Sequence, residues 1–126
     1  MTATIDTIIN ELAKGTTISA ALSTVYTKRK VTIPYKKQWF DIDVRDLGLD
    51  SRSSNALKRA HLDTLNDLMA YIEDGHKPID IRNLGVGSGK KLMEKILDYA
   101  WTCMDDKEKA EFLIDAVVMN EQYLRA

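Results

Sequence analysis

The sequence predicts a mainly α protein, a compact helical bundle. Apolar residues recur at helical spacing over most of the 126 residues. Only two prolines and six glycines interrupt the chain. Strand-like composition occurs once, in KVTIPY at 30–35.

The first helix is expected over 4–13, where Ile5, Ile8, Ile9 and Leu12 share a face, and Gly15 ends it. A second, over 17–27, has Ile18, Leu22, Val25 and Tyr26 as its apolar side. A short extended segment around Val31 and Ile33 follows, then a turn anchored by Trp39, Phe40, Ile42, Val44 and Leu47. Ser51 or Asp50 caps a helix over 51–60. Asp63 or Thr64 caps one over 63–73, with Leu65, Leu68, Met69 and Ile72 inside. DGHKP at 74–78 is a turn and 79–82 a short helical turn. The next helix, over 88–102, turns Leu92, Met93, Ile96, Leu97 and Ala100 inward. Asp105 caps a last helix over 106–124, with Phe112, Leu113, Ala116, Val117 and Tyr123 as its apolar stripe.

Composition narrows the function. At 44% hydrophobic and 29% charged, the sequence is ordinary for a soluble globular protein. No window approaches the ~18 apolar residues of a membrane span. MTATIDTIIN lacks the basic start and apolar run of a secretory signal, so the protein reads as cytoplasmic. One cysteine, Cys103, and two histidines, His61 and His76, make neither an internal disulfide nor a zinc site, and no cofactor is expected. Nor is there a convergent His/Asp/Glu set or a nucleophile beside a base, so the protein is read as no enzyme.

The charges are segregated. Net charge is −1, yet KRKVTIPYKK at 28–37 carries five cations (Lys28, Arg29, Lys30, Lys36 and Lys37) and no acid. SRSSNALKRA at 51–60 adds Arg52, Lys58 and Arg59. Such a protein can present a basic face, although charge runs are as often plain solvated surface.

RNLGVGSGKK at 82–91 is built to hold phosphate. It is no nucleotide loop. A Walker A pattern ending at Gly89-Lys90 has Leu84 where a glycine belongs and Lys91 where a serine or threonine belongs. A dinucleotide fingerprint from Gly85 and Gly87 meets Lys90 at its third glycine. The pattern resembles instead the helix-hairpin-helix motif, which holds a DNA phosphate without reading a base. In that reading Gly85 and Gly87 bring the backbone close, the amides of Gly87 to Lys90 face outward at a helix start, and Lys90 and Lys91 add charge. The plain alternative is a tight turn between two packed helices.

DLGLDSRSSNALKRAHLDTLNDL at 46–68, followed by IRNLGVGSGKKLMEKIL at 81–97, resembles the C-terminal domain of the bacterial RNA polymerase alpha subunit. The likeness rests on Asp46, Leu47, Leu49, Arg52, Ser53, Asn55, Leu57, Lys58 and Ala60, then Thr64, Leu65, Asp67 and Leu68, then Arg82, Asn83, Leu84, Gly85, Ser88 and Leu92. It covers about residues 40–102. It implies a helical module that binds double-stranded DNA in A+T-rich minor grooves. By that likeness Arg52 enters the groove, Asn55 lies beside it on the backbone, and Gly85 and Ser88 contact phosphate. Lys58, Gly87, Lys90 and Lys91 complete the expected interface, with Lys28, Arg29, Lys30, Lys36 and Lys37 as a secondary contact. This sequence departs from the family at Gly87, where a lysine is usual, at Lys91, where a glutamate is usual, and at Ala56, a cysteine in some members.

Three regions are therefore expected: a helical extension with the basic segment over 1–38, the polymerase-like module over 39–102, and a C-terminal helix packing on the core over 103–126. The full alpha subunit has a large assembly domain ahead of this module, which 126 residues do not hold. The expectation is a non-catalytic DNA-binding protein of transcription or its regulation, bacterial or phage, with an oligomer through the flanking helices open to it. The alternative is a module that docks on RNA polymerase, sigma factor or an activator with little DNA affinity of its own. Trp39 or Tyr35 stacking on a base is a lesser reading beside a core role.

Overall fold

The computed structural model describes residues 2–82 and 84–125. Its helices are α1 (Thr2–Ala13), α2 (Ile18–Val25), α3 (Ser51–Arg59), α4 (Leu65–Glu73), α5 (Val86–Cys103) and α6 (Asp106–Asn120). Short 3-10 turns lie at Val44–Leu47, Pro78–Asp80 and Glu121–Tyr123. Among the described residues there is no strand; Tyr26 with Leu124 and Asp43 with Thr64 make isolated antiparallel bridges.

The caps explain the starts. Thr17 accepts the Ala20 amide and starts α2. Asp50, rather than Ser51, caps α3, its carboxylate accepting the Ser53 amide at 2.7 Å. Thr64, rather than Asp63, caps α4 in a reciprocal box with Asp67. Asp105 and Glu108 form the same box at α6. Each side-chain oxygen satisfies an amide that has no carbonyl one turn back.

The protein forms two compact units. The first joins residues 1–34 to residues 100–126, and the second is the continuous stretch 35–99. In the first, Ile8, Ile18, Leu22, Tyr26, Met104, Phe112, Leu113, Ala116 and Val117 are buried. Its two segments are joined by backbone hydrogen bonds, Thr27 N to Tyr123 O at 2.8 Å and Arg125 N to Val25 O at 3.0 Å. The segment around Val31 and Ile33 is neither helix nor strand, and a side chain holds the backbone just before it. The buried Asn120 accepts the Lys30 amide at 2.6 Å and donates to the Lys30 carbonyl at 2.7 Å. Asn120 also ends α6 four residues before the expected position, and Tyr123 stands half-buried in the 3-10 turn beyond it rather than in an inward stripe. Ile9, expected on the inward face of α1, is 47% exposed.

In the second unit Phe40, Val44, Leu57, Leu65, Leu68, Leu84, Leu92 and Ile96 are buried. The turn before α3 is tied down twice: Asn66 N donates to Phe40 O at 3.0 Å, and Tyr99 Oη donates to Trp39 O at 2.8 Å. Tyr35 donates its hydroxyl to Asn66 and its ring lies 5.1 Å from Phe40. Tyr35 nonetheless stays 37% exposed.

α3 ends on His61, whose φ of 61° is left-handed, with His61 N bonded to Lys58 O and Leu62 N to Leu57 O. Glycine is the usual residue in this closing turn, and any residue with a Cβ costs about 1 kcal/mol there. His61 is exposed. His61→Gly is therefore expected to raise stability by about 1 kcal/mol and the melting temperature by a few degrees, read by thermal denaturation. A fall would mean that the imidazole makes contacts worth more than the backbone strain.

Candidate nucleic-acid interface

The candidate interface lies wholly in the second unit and is built from two helix starts. On α3, Ser53, Ser54, Ala56 and Leu57 are buried, which leaves Arg52, Asn55 and Arg59 exposed. Positions i, i+3 and i+7 share a helix face, so these three form one polar stripe. On α5, Gly89, Leu92 and Ile96 are buried, while Gly87, Lys90, Lys91 and Lys95 are exposed and Ser88 is half-buried.

Asp50 caps α3. Its carboxyl is held below its usual value, first by hydrogen bonds from the Ser53 amide and side chain, then by the positive charges of Lys91 and Arg52. Arg52 on α3 and Lys91 on α5 thus both add positive potential at this capping carboxylate.

The hairpin differs in detail from its sequence reading. Gly85 has φ +79° and turns the chain into α5. Gly87 is helical, and a side chain there would meet open space; its bareness leaves the backbone approachable but makes no turn. The helix begins at Val86, two residues early, and the Gly89 amide donates to Gly85 O at 3.0 Å. The outward amides are accordingly those of Val86, Gly87 and Ser88 rather than Gly87 to Lys90. Asn83 lies outside the described residues.

Lys58 is placed differently. Its ammonium bonds the Asp43 carboxylate at 2.7 Å and the Asp63 carbonyl at 3.3 Å, tying α3 to the turns on either side. Asp43 also accepts the Arg45 amide. These bonds, that from Lys58 first, hold the Asp43 carboxyl below its usual 3.8. A carboxyl with a lower value in the folded protein stabilises above its unfolded value and loses that contribution as pH falls through the folded one. Asp43→Asn is thus expected to melt below wild type at neutral pH, with the gap closing as pH falls below about 4. A gap that is constant with pH would mean that the pair contributes nothing through charge.

The basic run is divided. Lys36 and Lys37 belong to the second unit, and Lys36 Nζ lies 5.0 Å from the centre of the Trp39 ring. Lys28, Arg29 and Lys30 belong to the first. There Arg29 bonds Ser23, and Lys28 and Lys30 lie 5.7 and 5.6 Å from the Tyr123 ring centre. The Lys30 ammonium beside its hydroxyl holds the Tyr123 phenol below its usual value.

Two arginines outside the expected set come together beside the α3 stripe. Arg59 and Arg82 line one polar depression of ≈ 350 Å³ with Ala56 and Ala60. The spacing of Arg52, Asn55 and Arg59 was signal enough for the first. Arg82 needs the fold, which carries it to the α3 stripe from 23 residues further along the sequence.

The family model for the C-terminal domain of the bacterial RNA polymerase alpha subunit matches residues 32–98. The DNA-directed RNA polymerase subunit alpha of Mycoplasmopsis synoviae (strain 53) is 36% identical over 64 residues, 51% of this chain and 19% of that protein. The same subunit of Tropheryma whipplei (strain Twist) is 35% identical over 66 residues, 52% of this chain and 20% of that protein. That of Bifidobacterium adolescentis is 32% identical over 88 residues, 70% of this chain and 23% of that protein. The matched stretch spans about a fifth of the length of these relatives. No solved structure matches it significantly.

Proposed function

Because the chain belongs to the family of the bacterial RNA polymerase alpha subunit's C-terminal domain, we propose that it acts in transcription by binding double-stranded DNA without catalysis. The observation that carries this reading is the exposed row of Arg52, Asn55 and Arg59 on α3, together with the exposed Lys90 and Lys91 that follow the open amides of α5. A narrow A+T-rich minor groove concentrates negative potential and favours an inserted arginine. Arg52, exposed at the first turn of α3, is that arginine. Asn55 and Arg59 follow the adjacent backbone. Gly85, Gly87 and Ser88 hold a phosphate at the start of α5, with Lys90 and Lys91 adding charge. Arg82 faces the same strand beside Arg59. Lys36 and Lys37 extend this contact, and Lys28, Arg29 and Lys30 offer a further one from the first unit.

The test is a titration by fluorescence anisotropy on an A+T-rich and a G+C-rich duplex, between roughly 50 and 200 mM salt. The A+T-rich duplex is expected to bind more tightly, and log affinity to fall linearly with log salt. If neither duplex binds the folded protein at low salt, DNA is not the partner. The same surface is then tried against RNA polymerase, sigma factor and an activator.

A further inference from the structure

α6 is apolar on two sides. Phe112, Leu113, Ala116 and Val117 are buried, yet Ile114, Val118 and Met119 are 45%, 63% and 38% exposed. A surface helix ordinarily keeps its outer side polar. Val118 and Met119 form one wall of a groove of ≈ 520 Å³, with Val31 and Pro34 on the other wall and Phe112 and Ala116 between. All of these residues belong to the first unit. That volume is enough for one or two large side chains.

The rim of the groove is acidic. Glu108, Glu111 and Asp115 line it along one face of α6. Glu108 is engaged at the helix start with Asp105, but Glu111 and Asp115 make no ion pair among the described residues. Residues 105–121 hold six acids and two lysines, and one of those lysines, Lys109, lies over Trp101. An apolar slot beside the carboxylates of Glu111 and Asp115 is complementary to an apolar side chain flanked by lysine or arginine. A nucleic acid would be repelled by the same carboxylates.

We propose that this groove docks a cationic amphipathic segment of a protein partner. The site does not share residues with the DNA surface, and α6 lies beyond the residues matched by the family model.

The probe is a labelled helical peptide of about 15 residues, leucines on one face and lysines on the other, titrated into the full-length protein. A leucine–glutamate peptide of the same pattern is the control. The lysine peptide is expected to bind and the glutamate peptide not to. Reversing the rim with Glu111→Lys and Asp115→Lys is expected to weaken binding roughly tenfold. Val118→Asp, at a position too exposed to unfold the protein, is expected to weaken it as much. Reversing two acids at the end of α4, Glu73→Lys and Asp74→Lys, is expected to leave it unchanged. Absence of peptide binding, equal binding to wild type and the rim variant, or equal loss in the α4 variant overturns the proposal. So does self-association of the wild type that Val118→Asp abolishes.

Discussion

Arg52→Ala is expected to erase the preference for A+T-rich over G+C-rich duplex and to weaken A+T binding by roughly ten- to a hundredfold, the 1–3 kcal/mol of a well-placed groove contact. The fold itself explains why this loss comes without unfolding. Asp50 caps α3, so Arg52 occupies its second position, where a cation opposes the helix dipole. Removing it relieves that opposition, and the melting temperature is expected to hold or rise slightly. A position that costs helix stability yet carries an exposed arginine is better explained by a ligand than by packing. Arg52→Lys keeps the charge and loses the planar fork, so it should retain the salt dependence and lose much of the preference. The measurement is the anisotropy titration beside a thermal melt. An Arg52→Ala protein that still discriminates the two duplexes would remove the minor groove from the account and leave Lys90, Lys91 and the α5 amides as a plain phosphate site.

Phe40→Ala is expected to be the most damaging single change to the second unit. Phe40 is fully buried, with ring centres of Tyr35 and Tyr99 at 5.1 and 6.0 Å. Truncating such a ring costs about 3–5 kcal/mol, against a total of about 5–15 kcal/mol for an ordinary domain. It would also loosen the turn that meets Asn66 and Tyr99. In urea, the transition reported from residues 35–99 should move to clearly lower denaturant, while Phe40→Leu should move it far less. DNA binding by Phe40→Ala should fall only in proportion to the unfolded fraction. A variant that is folded yet inactive would put Phe40 at the interface instead of beneath it.

Much of the helical layout was legible because it is written locally. Apolar spacing located six helices, and Asp50, Thr64 and Asp105 each declare a helix start within three residues of the amide they satisfy. The stretches that were not legible depend on residues far away. Lys30 is held by Asn120, 90 positions later, which bonds both its amide and its carbonyl. The bond from Lys58 to Asp43, 15 positions earlier and 2.7 Å away, could not be read from spacing. The outward apolar residues of α6 lie among inward ones, so spacing alone does not separate the two sides. At the candidate interface, Arg52, Asn55, Gly85 and Ser88 came from the family resemblance. Arg59 continues the spacing of Arg52 and Asn55, whereas Arg82 came from folding, because only three dimensions set it at one depression with Arg59.

The division into two units has a consequence for the order of synthesis. Residues 35–99 are continuous, so they can fold as soon as they leave the ribosome. Residues 1–34 emerge first yet belong with residues 100–126, and must wait for the last segment. Ile8, Leu22 and Tyr26 then spend that interval without the helix that completes their unit. An arrested ribosome that has released residues 1–99 but still covers residues 100–126 would hold a finished polymerase-like module behind an unfinished, sticky leader. Nascent polypeptides stalled there should recruit a chaperone through residues 1–34, and release it once α6 has emerged.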